Sequence, residues 1–372
     1  MTAMKYILQI FTGSWHGTHD EPEDIVRRIG EISSRIPVEM VIMGWNTDPS
    51  VYAAAGRFLH GAGIRMLLWL PVFSETGEAA ETDEALDLYG NRIIMPAEMK
   101  GEGFVFGCPS SRRNLHAVWD LYEKYFSGCG FDGVFLDRVR TQSFLAGVPG
   151  VLSCGCARCR KAFRDRGVDT DAVREQYARK RDAFFNMASF PMNGQFRLED
   201  ALAQRFFEAK EEIVAAAAAE ISGYFREKGM IVGLDLFAPA VSRFVGQSYS
   251  LITKTADFIK PMLYRRTEAP AGIGYEYSLF RKSAPGAQGR RGLSMDREFL
   301  DTQLEAAGNV ACEVFPGIEI NYSRELVSTD PEYITESLEA IRDHGFAGAV
   351  LCWNIMEAPA AHLEAVAGME KR

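Results

Sequence analysis

No apolar run in this sequence approaches the roughly 18–20 residues that a membrane-spanning helix needs, so no helical span is expected. Basic residues are not in excess either: 41 Lys and Arg stand against 50 Asp and Glu, a net charge of −9. Without a local basic face, that balance argues against nucleic acid or an anionic membrane surface as partner. Histidine is scarce, at six in 372 residues. After the first apolar run, where a dinucleotide-binding fold would carry its Gly-rich turn, the chain reads Thr12-Gly13-Ser14-Trp15-His16-Gly17. The remainder has ordinary folded composition, 47% hydrophobic and 24% charged, suited to a small neutral ligand. The start, Met1 to Lys5, lacks the pattern of a secretory signal, so the expected location is cytoplasmic.

Eight short runs rich in β-branched and aromatic residues recur, each followed by turn residues and a helix-period segment. They are Tyr6–Phe11, Met40–Gly44, Ile64–Pro71, Gly133–Asp137, Ile231–Phe237, Phe258–Tyr264, Ala311–Phe315 and Ala349–Trp353. Eight strand-helix repeats predict an α/β fold, a (β/α)8 TIM barrel, with residues 1–372 as one domain rather than a doubly wound sheet with a second domain. Spacing is uneven, roughly 60 residues between the third and fourth runs and roughly 90 between the fourth and fifth, against about 30 for a minimal unit. Two insertions are therefore expected. One, residues 74–107, reads as a loop over the barrel mouth. The other, residues 141–195, carries a cysteine cluster and a charged helix from Arg160 to about Asn186. A long helix from Leu198 to Lys228 follows.

Three of the seven cysteines crowd into Cys154-Gly155-Cys156-Ala157-Arg158-Cys159. That is metal-ligand spacing rather than a disulfide framework, and tetrahedral structural zinc wants four sulfur or nitrogen ligands. Cys108, in Phe106-Gly107-Cys108-Pro109-Ser110, lies just before the helix leading to the fourth strand and is the best fourth ligand. Such a zinc site is closed, so it would hold the insertion rather than catalyse. The bland alternative is three reduced thiols in a loop. Cys129, Cys312 and Cys352 fall in or beside strands and read as small buried residues.

The run Cys108-Pro109-Ser110, then a helix, then Phe131-Asp132-Gly133-Val134-Phe135-Leu136-Asp137, then Cys154 to Phe163, resembles the barrel domain of family 42 glycoside hydrolases (β-galactosidases) and their glycosidase-like relatives. The resemblance is strong over Phe106 to Arg166 and architectural elsewhere. It implies zinc at Cys108, Cys154, Cys156 and Cys159, and a carbohydrate substrate. One departure matters: those enzymes carry an Asn-Glu pair after strand four with Glu as acid/base, whereas here the strand ends Leu136-Asp137-Arg138-Val139-Arg140. Mechanism and galactoside specificity therefore do not transfer.

Glycoside hydrolysis normally needs two carboxyl groups flanking the scissile bond, and in a barrel these come from the C-terminal ends of strands. Period-two alternation turns Phe135 and Asp137 inward. The strand also resembles the fourth strand of α-amylase-like barrels, whose last Asp is catalytic, and Asp137 is the first candidate. A structural acid paired with Arg138 or Arg140 is its plainer reading. Partners are Asp235, inward on the fifth strand, and Glu319, in a loop after the seventh, at the position where family 42 enzymes place their nucleophile. Glu313 is expected inward but mid-strand. Lys260, inward on the sixth strand, demands a carboxylate on a neighbouring strand, so it reads as a structural ion pair or a substrate contact. Tyr264, Trp45 and Trp353 fall at strand ends, where rings could stack on sugars while Asn46, Asn354 and His16 bond hydroxyls; each has a packing alternative. Arg138, Arg140, Arg265 and Arg266 suggest either a positive mouth for an acidic sugar or a surface salt-bridge array.

The expected function is thus hydrolysis of a small glycoside or oligosaccharide, with no catalytic cofactor. Two rivals stand beside it. One is a carbohydrate-binding barrel that has lost its acid/base. The other is a metal-dependent hydrolase built on His16, His19 and Asp137, for which the histidine supply is thin. Whether the chain forms a homo-oligomer stays open.

Overall fold

The computed structural model describes residues 4–13, 20–74, 82–95, 104–189, 196–289 and 292–371. In it the eight expected runs form one closed parallel barrel. Its strands are β1 (Lys5–Phe11), β2 (Val38–Gly44), β3 (Arg65–Pro71) and β4 (Gly133–Asp137), followed after a small antiparallel pair, β5 (Met187–Ser189) and β6 (Arg197–Leu198), by β7 (Ile231–Phe237), β8 (Phe258–Met262), β9 (Glu313–Val314), β10 (Gly317–Glu319) and β11 (Gly348–Cys352). The order runs β10-β11-β1-β2-β3-β4-β7-β8, and a β10–β8 contact at Gly317 and Met262 closes the ring. The strands are almost wholly buried, as parallel strands covered by helices must be.

The helices are α1 (Pro22–Ser33), α2 (Pro49–Gly61), α3 (Arg112–Tyr125), α4 (Gly147–Val151), α5 (Ala157–Arg164), α6 (Thr170–Lys180), α7 (Ala201–Glu227), α8 (Pro239–Ser242), α9 (Tyr249–Ile252), α10 (Ile273–Ser283), α11 (Arg297–Gly308), α12 (Pro331–Asp343) and α13 (Ala360–Met369). Their starts are written in local chemistry. Asp48, Ser111, Asp169, Asp200, Asp296 and Asp330 each accept a backbone N–H of the first turn.

Two expectations are corrected. The seventh strand is not Ala311–Phe315 but two short pieces, β9 and β10, joined through Phe315 and Pro316. Proline has no N–H to give to a ladder, so the strand breaks there. Glu319 thereby closes a strand instead of sitting in a loop, and Glu313 is exposed rather than inward. The charged helix from Arg160 to Asn186 is also divided, into α5, α6 and a 3-10 turn over Arg181–Phe185. Gly167, at φ +76°, ends the first piece in a left-handed conformation and Asp169 caps the second.

The lower barrel is packed to its limit. Phe135 and Phe258 stack at 6.0 Å across the interior, and the space for Phe258 exists because position 233 is glycine: a Cβ there would lie 2.2 Å from Phe258 Cζ. Gly233→Ala is expected to cost about 1–3 kcal/mol, read as a lower urea midpoint at unchanged slope. An unaltered midpoint would show that Phe258 swings aside freely.

Candidate active site

β4 ends on Asp137 at the C-terminal mouth. Its Oδ2 accepts the Trp69 indole N–H at 3.0 Å and its Oδ1 the Arg138 backbone N–H at 2.6 Å. Arg138 holds φ +55°, a conformation few side-chain-bearing residues adopt, and its Nε lies 3.9 Å from Asp137 Oδ2. The Arg138 guanidinium is covered by Phe104, 3.3 Å from the ring centre, and by Trp45 at 4.4 Å, while donating to Ser74 Oγ at 2.9 Å. Phe11, Trp45, Trp69 and Phe104 form a continuous aromatic wall beside it, with ring centres 5.4–6.4 Å apart.

Asp235 stands next to Asp137. In the β4–β7 ladder Phe135 faces Gly233 and Leu136 faces Leu234, so the following residues of that parity, Asp137 and Asp235, are neighbours on the inner wall. Asp235 Oδ2 accepts from Lys260 Nζ at 2.9 Å. Lys260 is fully buried and also donates to Gln9 Oε1 and Tyr264 Oη, each at 2.9 Å. The inward lysine thus found the carboxylate that its parity demanded. Burial pushes the Asp235 carboxyl up to about 7, against the pull of Lys260, and the charge of Asp137 adds to the rise. Burial is the largest single influence on Lys260 and would lower its pKa, but the charges of Asp235, Cys352 and Asp137 and the hydrogen bond to Asp235 together outweigh it, and the ammonium is favoured. Asp235 Oδ1 has no hydrogen-bond partner among the described residues, which leaves one oxygen able to carry a proton.

Glu319 is not part of this pair. It is fully buried, with Oε1 accepting the Arg266 backbone N–H at 2.6 Å and Thr267 Oγ1 at 3.4 Å, and Oε2 accepting Tyr333 Oη of α12 at 2.8 Å. Its carboxyl is pushed up by burial, and its donors tie the β8 loop and α12 together.

The arginine expectation is corrected as well. Arg138, Arg140 and Arg265 are buried rather than arrayed on the surface. Arg140 lies between the rings of Phe106 and Phe237, at 4.7 and 4.5 Å, and Arg265 donates to Glu336 at 2.7 Å and to Ser337 at 2.9 Å. Only Arg266 of the four is exposed. Tyr264, expected as a sugar platform, is buried as an acceptor for Lys260. Asn46 and Asn354 are committed locally: Asn46 donates to the Thr12 carbonyl and accepts from the Asp48 N–H, and Asn354 accepts from the Phe11 and Met356 N–H groups. Trp353 is half-buried and Trp45 buried in the aromatic wall. His16 and His19 lie outside the described residues. Sequence reasoning missed Trp69, Gln9 and Phe104. Gln9 did leave a signal, a polar residue inside the run Ile7-Leu8-Gln9-Ile10.

Away from the carboxylates, the Cys108, Cys154, Cys156 and Cys159 sulfurs all lie within 4.8 Å of one another. Cys108 Sγ is 3.4 Å from both Cys156 Sγ and Cys159 Sγ, near the roughly 3.8 Å edge of a tetrahedron of sulfurs about 2.3 Å from zinc. Backbone N–H groups of Leu86 and Cys159 point at Cys154 and Cys156 sulfur, at 3.5 and 3.4 Å. Gly155 lets the loop seat, since a Cβ there would fall 2.0 Å from the Asp87 carbonyl. These four residues could hold a thiophilic divalent ion. Among the described residues they form the one group of three or more metal-ligating side chains.

No protein-family model matches the sequence, and no curated protein does. Solved structures do. The glycoside hydrolase domain of PgaB (BpsB) from Bordetella bronchiseptica superposes with a TM-score of 0.62 at 14% identity, covering 98% of each chain. An α-L-fucosidase, isoenzyme 2 of Paenibacillus thiaminolyticus, gives 0.57 at 12% identity; all of this chain spans 49% of that one, about half its length. A class V chitinase from Pseudomonas fluorescens Pf-5 gives 0.50 at 9% identity, covering 99% of this chain and 100% of that one. In fold, the chain is similar to glycoside hydrolase TIM-barrel domains. The likeness establishes the (β/α)8 barrel, while the resemblance to family 42 stays with the cysteine motif.

The ion pair makes a pH-dependent prediction. In Lys260→Met the Asp235 carboxyl loses its counter-charge and its folded pKa moves further above the unfolded value of about 3.9. Between those two values the folded state binds more protons than the unfolded, so stability falls as pH rises through the window. The variant should match wild type near pH 5 and be less stable by about 3–5 kcal/mol near pH 9, as breaking a buried pair costs. Urea denaturation at both pH values checks this; an equal loss at both would uncouple the lysine from the Asp235 proton.

Proposed function

We propose that the protein is a glycoside hydrolase acting on a small glycoside or oligosaccharide, with Asp137 and Asp235 as its working carboxyl pair. The observation that carries this is their adjacency on the inner wall at the C-terminal mouth, one oxygen of Asp235 without a hydrogen-bond partner among the described residues and its carboxyl raised to about 7. Raising one carboxyl while its neighbour accepts N–H bonds is how a barrel separates an acid from a nucleophile. The fold likeness to the PgaB glycoside hydrolase domain, the fucosidase and the chitinase supports the same class.

In this reading the Asp235 proton passes to the leaving-group oxygen as the glycosidic C–O bond breaks, and an Asp137 oxygen bonds to the anomeric carbon. Water then attacks that carbon, returns a proton to Asp235 and frees Asp137. Neighbouring strands lie about 4.8 Å apart, and these two carboxyl groups project from the same level of adjacent strands. That spacing is close to the roughly 5–5.5 Å of retaining pairs and short of the roughly 6.5–9.5 Å of inverting ones. The aromatic wall supplies apolar faces for sugar rings, and the half-buried Trp353 adds another.

A second reading, a carbohydrate-binding barrel without turnover, is favoured by one observation: Asp235 is 3% exposed and engaged by Lys260. The four cysteines are proposed to hold structural zinc that fastens the insertion, and seven cysteines without a disulfide support a reducing, cytoplasmic location.

Wild type, Asp137→Asn and Asp235→Asn are to be assayed on aryl glycosides and neutral oligosaccharides. Hydrolysis should fall by at least about 100-fold in each variant, the size of a lost acid/base or nucleophile contribution, and proton NMR should show the product first in the substrate's anomeric configuration. Undiminished turnover in Asp137→Asn removes it from the mechanism. Oligosaccharide binding without turnover in wild type establishes the second reading.

A further inference from the structure

Asn321 lies just past Glu319, the last residue of β10, and is fully buried. Neither its amide oxygen nor its amide nitrogen has a hydrogen-bond partner, and among the described residues no other side chain is left with two such atoms. Its backbone, by contrast, is fixed. The Thr329 hydroxyl donates to the Asn321 carbonyl at 2.6 Å, and the preceding Ile320 N–H donates to the Cys352 carbonyl at 2.8 Å. A buried amide with nothing to bond costs its full desolvation, which a leucine of nearly the same shape would avoid, so the position needs a reason.

Register places this amide at the mouth. Leu8 faces Leu351 and Glu319 faces Cys352, so Gln9, Cys352 and Glu319 share one level, and Phe11, Asn354 and Asn321 the next one up. Phe11 and Asn354 do meet there, the Phe11 N–H donating to Asn354 Oδ1 at 3.3 Å. Gly317 is inward, since a Cβ there would lie 2.9 Å from Lys260 Cγ. The ladder continues through Ile320, and period-two alternation carries the inward side on to Asn321. Gln9, one level below, has a matching gap. A lysine only donates, so Lys260 Nζ takes Gln9 Oε1, and Gln9 Nε2 is left without an acceptor among the described residues. With Asp235 Oδ1, three strands present unused donors and acceptors to one end of the barrel interior.

We propose that Asn321 is a specificity-determining residue that reads two neighbouring free hydroxyls of the sugar held in the mouth, its Nδ2 donating to one and its Oδ1 accepting from the other, while Gln9 Nε2 donates to a further oxygen below. This rests on the reading of the protein as a glycoside hydrolase. Both amides are closed to bulk water in the free protein, so their pairing waits for a ligand that reaches the floor of the mouth. Asn321 therefore weakens the free protein and strengthens the complex. An amide satisfied by a trapped water would strengthen the free protein as well.

The test measures ligand-free stability and substrate selection in the full chain. Asn321→Leu should unfold at the same or a higher urea midpoint than wild type, as expected of a position kept for binding. On the aryl glycoside that wild type hydrolyses fastest, its kcat/KM should fall about 10–100-fold, the scale of one or two lost hydrogen bonds. Monodeoxy versions of that glycoside locate the contact: removing a hydroxyl read by Asn321 should slow wild type and leave the variant unchanged. Asn321→Ser, smaller and still polar, serves should leucine not fit, and should show the same loss of discrimination between the parent glycoside and its deoxy versions. A lower midpoint in a folded Asn321→Leu overturns the proposal, as does wild-type activity or undiminished discrimination in either variant. Those outcomes leave the hydrolase reading standing. If wild type neither hydrolyses nor binds any glycoside, the hydrolase reading falls and the role of Asn321 with it.

Discussion

The Lys260 ammonium inside the barrel is the constraint around which the C-terminal end of the barrel is arranged. An inward lysine on a parallel strand has no water to solvate it, so its neighbours must supply every partner. β7 supplies Asp235, β1 supplies Gln9 and the end of β8 supplies Tyr264. Room for the lysine stem comes from Gly317, where a Cβ would lie 2.9 Å from Lys260 Cγ. Four strands thus take their identity at one level of the barrel from one side chain. The same charge limits how far burial lifts Asp235, keeping that carboxyl in a range where it can both hold and release a proton near neutrality.

Asp137 sits where this polar half of the mouth meets an apolar one. Phe11, Trp45, Trp69 and Phe104 close the β1–β3 side, and Trp69 presents its only polar atom to Asp137. Arg138 links the halves by lying flat on Trp45 and Phe104 while its backbone N–H holds Asp137. A site made this way suits a ligand with apolar faces and hydroxyl edges, which is the amphipathic character of a sugar ring.

The barrel was legible because each strand is a short apolar run bounded by turn residues, and burial on both faces leaves no other pattern. Inward parity gave Lys260 its partner Asp235 and gave Asp137 its position, since period-two alternation is a property of the strand alone. Parity failed at Glu313, because Pro316 interrupts the ladder and shifts the strand to Gly317–Glu319. It could not reveal Glu319's fate either, since Tyr333 and Thr267 come from elements whose approach depends on tertiary packing. The arginines misled for a similar reason: charge in a sequence implies surface, and only the fold shows three of them sandwiched between rings or bonded to buried oxygens. Cys108 was legible through topology, from its place before the helix leading to the fourth strand.

That topology also says why a metal would be placed there at all. Cys108 lies at the entry to α3, and Cys154, Cys156 and Cys159 follow the loop that leaves β4. The segment enclosed by the four sulfurs contains α3, β4, Asp137 and the Arg138 turn. Joining its two ends through one ion closes a loop of roughly 50 residues, and such closure removes unfolded-state entropy that grows only slowly with length. An ion therefore need not touch the chemistry to serve it. Opening of the insertion would release the chain on both sides of Asp137, and a cross-link through the four sulfurs would oppose that motion.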